Sequence, residues 1–166
     1  MEILMDIKME RIRKLLGNNQ FIEYLRRLDV LEADRIYCRH NLEHFFAVAR
    51  IATILNEDRN TAFDRELIYA AALTHDLGRI DEYEHNIPHD EASERIAESI
   101  LKECDYTEEE IEAVTEAIRY HRHDTDAPEQ SLAALLYSAD KMSRCCMLCN
   151  VPDCKIPIDA RNKTII

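Results

Sequence analysis

Glycine and proline are scarce in this chain, with 2 Gly and 4 Pro in 166 residues. A fold of many strands and tight turns needs far more of both, so a sheet architecture is disfavoured. Positive charge is also in deficit: 21 Lys and Arg stand against 33 Asp and Glu, for a formal net charge of −12. That balance argues against a broad nucleic-acid or acidic-membrane surface and leaves room only for a local basic pocket. No apolar run reaches the roughly 18–20 residues that span a bilayer. Met1 to Asp6 carries an early acidic residue and no long apolar core, so no secretory leader is predicted. The expected compartment is the cytoplasm, with the 6 Cys mostly reduced.

What is present is a 46% hydrophobic chain dominated by Ala, Leu, Ile, Glu and Arg, which favours helices. Its length fits one domain, residues 1–166, with a core over about residues 20–150 and a cysteine-rich tail over 145–166. The apolar spacing predicts an all-α bundle of about seven helices. The first covers 2–16 (Ile3, Ile7, Ile12, Leu15, Leu16), stopped by Gly17-Asn18-Asn19. The second covers about 20–28 and the third about 40–56. A fourth starts after Asp64 as N-cap, and Ile80 to Pro88 is predicted to be a loop. Further helices start near His89, at the capping box Thr107/Glu110, and at about Glu129, the last running into the 140s.

The fourth helix organises the rest. From Leu67 to Leu77 it is apolar on nearly every side, as expected of a buried central helix. It ends in His75-Asp76, followed by Gly78, where a helix C-cap is expected. A buried charge without a partner costs several kcal/mol, so these two side chains must meet something. Other polar residues sit on apolar stripes. His44 shares a face with Val48, Ile51, Ala52 and Leu55. His89 begins the stripe Ala92, Ile96, Ala97, Ile100. His121 continues Ile111, Val114 and Ile118, which favours it over His123. Asp140 falls four residues after Leu136.

A single core-facing His usually bonds a backbone carbonyl, and a single Asp near a helix end is usually a cap. Four His and two Asp on five helices would each need a separate buried partner, whereas a shared cation satisfies several at once. Imidazole with carboxylate suits zinc, iron, manganese, nickel or cobalt without choosing among them.

In this order the residues resemble the HD superfamily of metal-dependent phosphohydrolases. The resemblance rests on His44-Phe45-Phe46-Ala47-Val48-Ala49, Leu73-Thr74-His75-Asp76-Leu77-Gly78-Arg79 and Ser138-Ala139-Asp140-Lys141. Two further segments, Ile87 to Ala92 and Arg119 to Arg122, resemble the additional His segments of dinuclear members. The resemblance implies an all-α site in which His44, His75, Asp76 and Asp140 hold one divalent transition metal ion. Asp76 would bridge to a second ion held by His89 and His121. Such ions lower the pKa of a bound water to about 7. Positive side chains must then steady the phosphoryl oxygens. Arg79 and Lys141 are the best-placed, with Arg122 and Arg144 behind them, and His40 would either hydrogen-bond a ligand from behind or contact substrate. Members that cleave dinucleoside polyphosphates usually have a glycine where this chain has Asp90-Glu91-Ala92.

The activity implied is hydrolysis of a phosphate ester or anhydride of a nucleotide or other small phosphorylated metabolite. The alternatives are a di-iron oxygenase of the same fold and a non-catalytic metal- or nucleotide-binding sensor. In the tail, Cys146-x-x-Cys149 has chelating spacing and Cys154 offers a third thiolate. The other reading of these cysteines is a set of reduced thiols packed near the chain end. The oligomeric state is left open.

Overall fold

A computed structural model describes residues 9–121, 128, 130–144, 146, 149–151 and 154. Among them are eight helices and no strand: α1 (Glu10–Leu16), α2 (Asn19–Leu31), α3 (Leu42–Asp58), α4 (Arg65–Thr74), α5 (Arg79–His85), α6 (His89–Lys102), α7 (Glu108–Tyr120) and α8 (Leu132–Met142). The all-α bundle predicted from the sequence is what forms. None of these helices is long and apolar enough to cross a membrane.

Helix α4 is the axis. It packs against α1, α3, α6, α7 and α8, while α3, α8, α7, α6, α5, α2 and α1 follow one another as neighbours around it. Its residues Ala70 to Leu73 are fully buried, as are His75 and Leu77. Burying a side chain such as Ile68 or Leu73 contributes about 1.5–3 kcal/mol, so the segment carrying the His-Asp doublet is among the most firmly held. At the other end of α4, the Arg11 guanidinium bonds Glu66 at 2.6 Å and Glu110 at 2.8 Å, tying α1 to α4 and α7.

Several boundaries differ from the sequence expectation. Ile3 and Ile7 lie outside the described residues. Asn18 starts α2 instead of stopping α1, its side chain accepting from the Phe21 amide. Helix α3 begins at Leu42 with Asn41 as N-cap, which leaves His40 in the segment before it. Helix α8 begins at Leu132 behind the cap Ser131. The stretch expected as a loop contains α5, seven residues ended by Asn86 in the left-handed conformation at φ 57°. Its charges mask it in sequence, yet Ile80 is buried beneath it.

Gly78 does not cap α4. That helix ends at Thr74 with His75 as C-cap, and Gly78 precedes α5 at an ordinary φ of −70°. The need for glycine is steric. A Cβ there would stand 2.4 Å from both the His89 carbonyl oxygen and the Ser93 amide nitrogen. The Gly78 amide also donates to Ser93 Oγ at 2.8 Å, so this close approach sets the doublet against the start of α6. Gly78→Ala is expected to push α6 away, lowering stability by about 1–3 kcal/mol as overpacking does. Urea unfolding of the purified variant measures it.

Candidate metal centre

Four of the surrounding segments deliver imidazoles or carboxylates to the buried end of α4. His44 stands in the first turn of α3, where its amide is held by Asn41 Oδ1 at 3.0 Å. His89 opens α6, His121 follows α7, and Asp140 lies on α8. The Asp76 carboxylate is at the centre. Its Oδ2 lies 3.3 Å from His75 Nε2 and 4.0 Å from His44 Nε2. Its Oδ1 lies 3.3 Å from His89 Nε2 and 3.9 Å from His121 Nε2. Asp140 Oδ1 closes the first side, 3.5 Å from His44 Nε2 and 3.9 Å from His75 Nε2. Two groups with metal-holding geometry result: His44, His75, Asp76 and Asp140, and Asp76, His89 and His121, each with its donor atoms within 4.8 Å of one another.

The back of each ring is held. His75 Nδ1 donates to the Ala72 carbonyl at 2.7 Å and His121 Nδ1 to that of Ile118. His89 Nδ1 donates to Glu82 Oε2 at 3.0 Å. His44 Nδ1 faces Ser143 Oγ at 3.3 Å, and that hydroxyl itself donates to the Asp140 carbonyl. Holding Nδ1–H turns the Nε2 lone pair inward, as histidine ligands of metals require. Among the described residues, Nε2 of His40, His44, His75 and His89 is buried without a hydrogen-bond partner. An orphaned buried polar atom costs about 1–3 kcal/mol. Several of them around paired carboxylates fit a divalent cation, and the mixed N/O donor set suits a transition metal.

The charges agree. Burial pushes His44 down to about 3, helped by the His75 charge, and His121 down to about 4. Burial lowers His89 as well. Burial opposes the charged form of His75 too, but Asp76 and Asp140 outweigh it and raise this imidazole to about 10. Against the effect of burial, His75 and Arg79 hold the Asp76 carboxyl well below the usual carboxylate range. Asp140 is likewise lowered, by His75 and Arg144, despite its burial. The two carboxylates thus favour positive charge beside them, on His75 or from a cation.

Beside the centre opens a cleft of about 350 Å³, lined by Arg35, Tyr37, Cys38, His40, Arg79, Arg144, Cys146, Cys149, Val151 and Cys154. Among the described residues no carboxylate lines it, despite the acidic chain. Arg79 donates from Nε to Asp76 Oδ1 at 3.0 Å and from Nη1 to Glu82 at 2.9 Å. Arg144 Nη2 reaches Asp140 Oδ1 at 3.3 Å.

Lys141 and Arg144 exchange the ranks that the sequence suggested. Lys141 Nζ lies 3.3 Å from Asp140 Oδ2, but its side chain is 54% exposed and lies over the Tyr137 ring, away from the cleft lining. One residue past Asp140 is a different face of a helix, whereas four residues past it is the same face. Arg122 and His123 lie outside the described residues. Cys146, Cys149 and Cys154 line the cleft, and among the described residues no metal-holding group contains a cysteine. Sequence reasoning missed Arg35, Glu32 and Glu82. Arg35 and Glu32 lie between α2 and α3, where no periodicity marks them. Glu82 is three residues after Arg79 and becomes legible once α5 is seen to be a helix.

Fold and site together define an all-α domain with a buried His/Asp cluster able to hold metal. The chain belongs to the HD domain family, whose pattern it matches over residues 41–145. It is 39% identical over 155 residues to an uncharacterised protein of Clostridium beijerinckii, a match that covers 93% of this chain and 97% of that one. No solved structure matches the chain significantly.

Proposed function

We propose that this protein is a metal-dependent phosphohydrolase acting on a phosphate ester or anhydride of a nucleotide or other small phosphorylated metabolite. One observation carries the reading: a single buried carboxylate faces three other donors with one oxygen and two imidazoles with the other, beside a cleft whose charged walls are cationic. His44, His75, Asp76 and Asp140 would hold one divalent ion, and Asp76, His89 and His121 would hold a second. Divalent ions there supply an activated water and neutralise phosphoryl charge.

The chain's own residues do the rest. Asp76 is fixed by Arg79, and Arg79 in turn by Glu82, so the carboxylate common to both donor groups keeps its orientation. Arg35, Arg79 and Arg144 draw an anionic substrate into a cleft that the surrounding acidic surface would otherwise disfavour. Planar guanidinium groups suit the oxygens of a phosphoryl group.

The test is a panel of phosphate esters and anhydrides incubated with protein loaded with manganese, iron, cobalt or nickel. Release of phosphate or nucleotide, absent in Asp76→Ala, supports the reading. No release from any substrate, or oxygen uptake by an iron form kept anaerobic until assay, overturns it. The cleft makes a finer prediction. Arg144→Ala is expected to lower kcat/KM by about 10–100-fold, the worth of a charged hydrogen bond. Lys141→Ala, an exposed pair worth at most about 1 kcal/mol, should change it less than about fivefold. Steady-state kinetics on the best substrate compares the two.

A further inference from the structure

His40 is a buried imidazole for which the two metal-holding groups give no role. It is 2% exposed, and its surroundings are built. Its Nδ1 lies 2.6 Å from Glu32 Oε1, its amide donates to Glu32 Oε2 at 2.7 Å, and Tyr83 Oη donates to the same carboxylate at 2.6 Å. Glu32 is itself only 2% exposed. A buried carboxylate thus fixes the back of the ring, and the front atom, Nε2, is buried with no hydrogen-bond partner. That atom lies 3.7 Å from Asp76 Oδ2. The spacing falls between those of His75 and His44 to the same oxygen, 3.3 and 4.0 Å. Metal–nitrogen and metal–oxygen bonds of about 2.0–2.2 Å let two donors of one ion stand up to about 4 Å apart.

We infer that His40 is a further metal ligand, joining His44, His75, Asp76 and Asp140 on the Oδ2 side, with Glu32 as its orienting carboxylate. His40 carries the same two marks as His75 and His89: Nδ1 tied from behind and Nε2 orphaned toward Asp76. His40 stands beside the two compact groups rather than within them, and reaches them through Asp76 Oδ2. The Oδ2 side then offers three imidazoles and two carboxylates. The Oδ1 side offers two imidazoles and the shared carboxylate. The Oδ1 side, with fewer donors, would leave more positions for water and substrate.

The inference rests on the cluster being a metal centre but not on hydrolysis, so its test reads no turnover. In protein loaded with cobalt(II), each ligating imidazole that keeps its Nδ1–H gives one strongly shifted, solvent-exchangeable proton resonance. Five are expected in the unaltered protein and four in His40→Gln. Competition with a chelator is expected to show a loss of cobalt affinity in His40→Gln exceeding the roughly 10–100-fold typical of outer-shell changes. Glu32→Gln should keep five resonances, displace one of them and weaken binding only within that range. If His40→Gln does not fold, Glu32→Gln decides by whether one resonance moves. An unchanged set of shifted resonances in His40→Gln, or in Glu32→Gln where it stands alone, overturns the assignment. Unaltered protein that binds no cobalt overturns the metal centre as well.

Discussion

Asp76→Asn is expected to abolish hydrolysis and leave at most one weakly held ion. The substitution keeps shape and volume, so a change in packing will not explain the result. It removes a charge that is 1% exposed and that both donor groups share. However the amide turns, it presents an NH2 donor to one group, and a donor cannot ligate a cation. A metal centre supplies several kcal/mol of transition-state stabilisation, and each 1.4 kcal/mol is about tenfold in rate. A loss of about 10³-fold or more follows. Elemental analysis beside the hydrolysis assay measures both effects, and a variant retaining two ions and its activity would remove Asp76 from the centre.

Metal binding is expected to release close to one proton per chain at neutral pH and to stabilise the protein more as pH rises from about 6.5 to 10. His44 and His121, lowered by burial to about 3 and 4, are already neutral and offer no competing proton. His75, raised to about 10 above an ordinary 6.5, is charged in the metal-free fold. Its pairing with Asp76 and Asp140 stabilises that fold fully below 6.5 and is lost as pH climbs through 10. A cation must displace the same proton, so its apparent affinity grows across that window. With metal at about 1,000 times its Kd, the gain is about 4 kcal/mol. For a chain of this size that is roughly 8–16 °C in Tm. Melting curves with and without cobalt or manganese at pH 6, 7, 8 and 9 test the trend. A gain that shrinks with rising pH would contradict the charge state of His75.

The convergence of distant residues was legible because burial leaves a periodic trace. His44 shares the stripe of Val48 and Ile51, His121 extends that of Ile118, and Asp140 follows Leu136 by one turn. The greasy run before His75-Asp76 marked its helix as central, and in the structure α4 is surrounded. What was illegible lay where no period operates. Glu32, Arg35 and His40 belong to an irregular connection, and their meeting with Tyr83 depends on how α5 packs beside α2. Helix α5 hid behind its charges. The order of Lys141 and Arg144 was a matter of helical phase, readable from spacing but overridden by adjacency to Asp140. Gly78 was expected as a cap of α4, whereas what demands glycine there is contact with α6 and not backbone conformation.

The donors are scattered from His40 to Asp140, and only His75 and Asp76 are adjacent in the chain. An ion therefore has no compact nucleus to seize in the newly made polypeptide, because one donor group assembles only after α3, α4 and α8 have docked and the other only after α4, α6 and α7 have. The packing that brings them together is apolar, from Leu15 and Phe21 to Leu135 and Ala139. Metal starvation should thus leave a folded, idle reservoir that regains its ions when supply returns, rather than a denatured pool to be degraded and synthesised again.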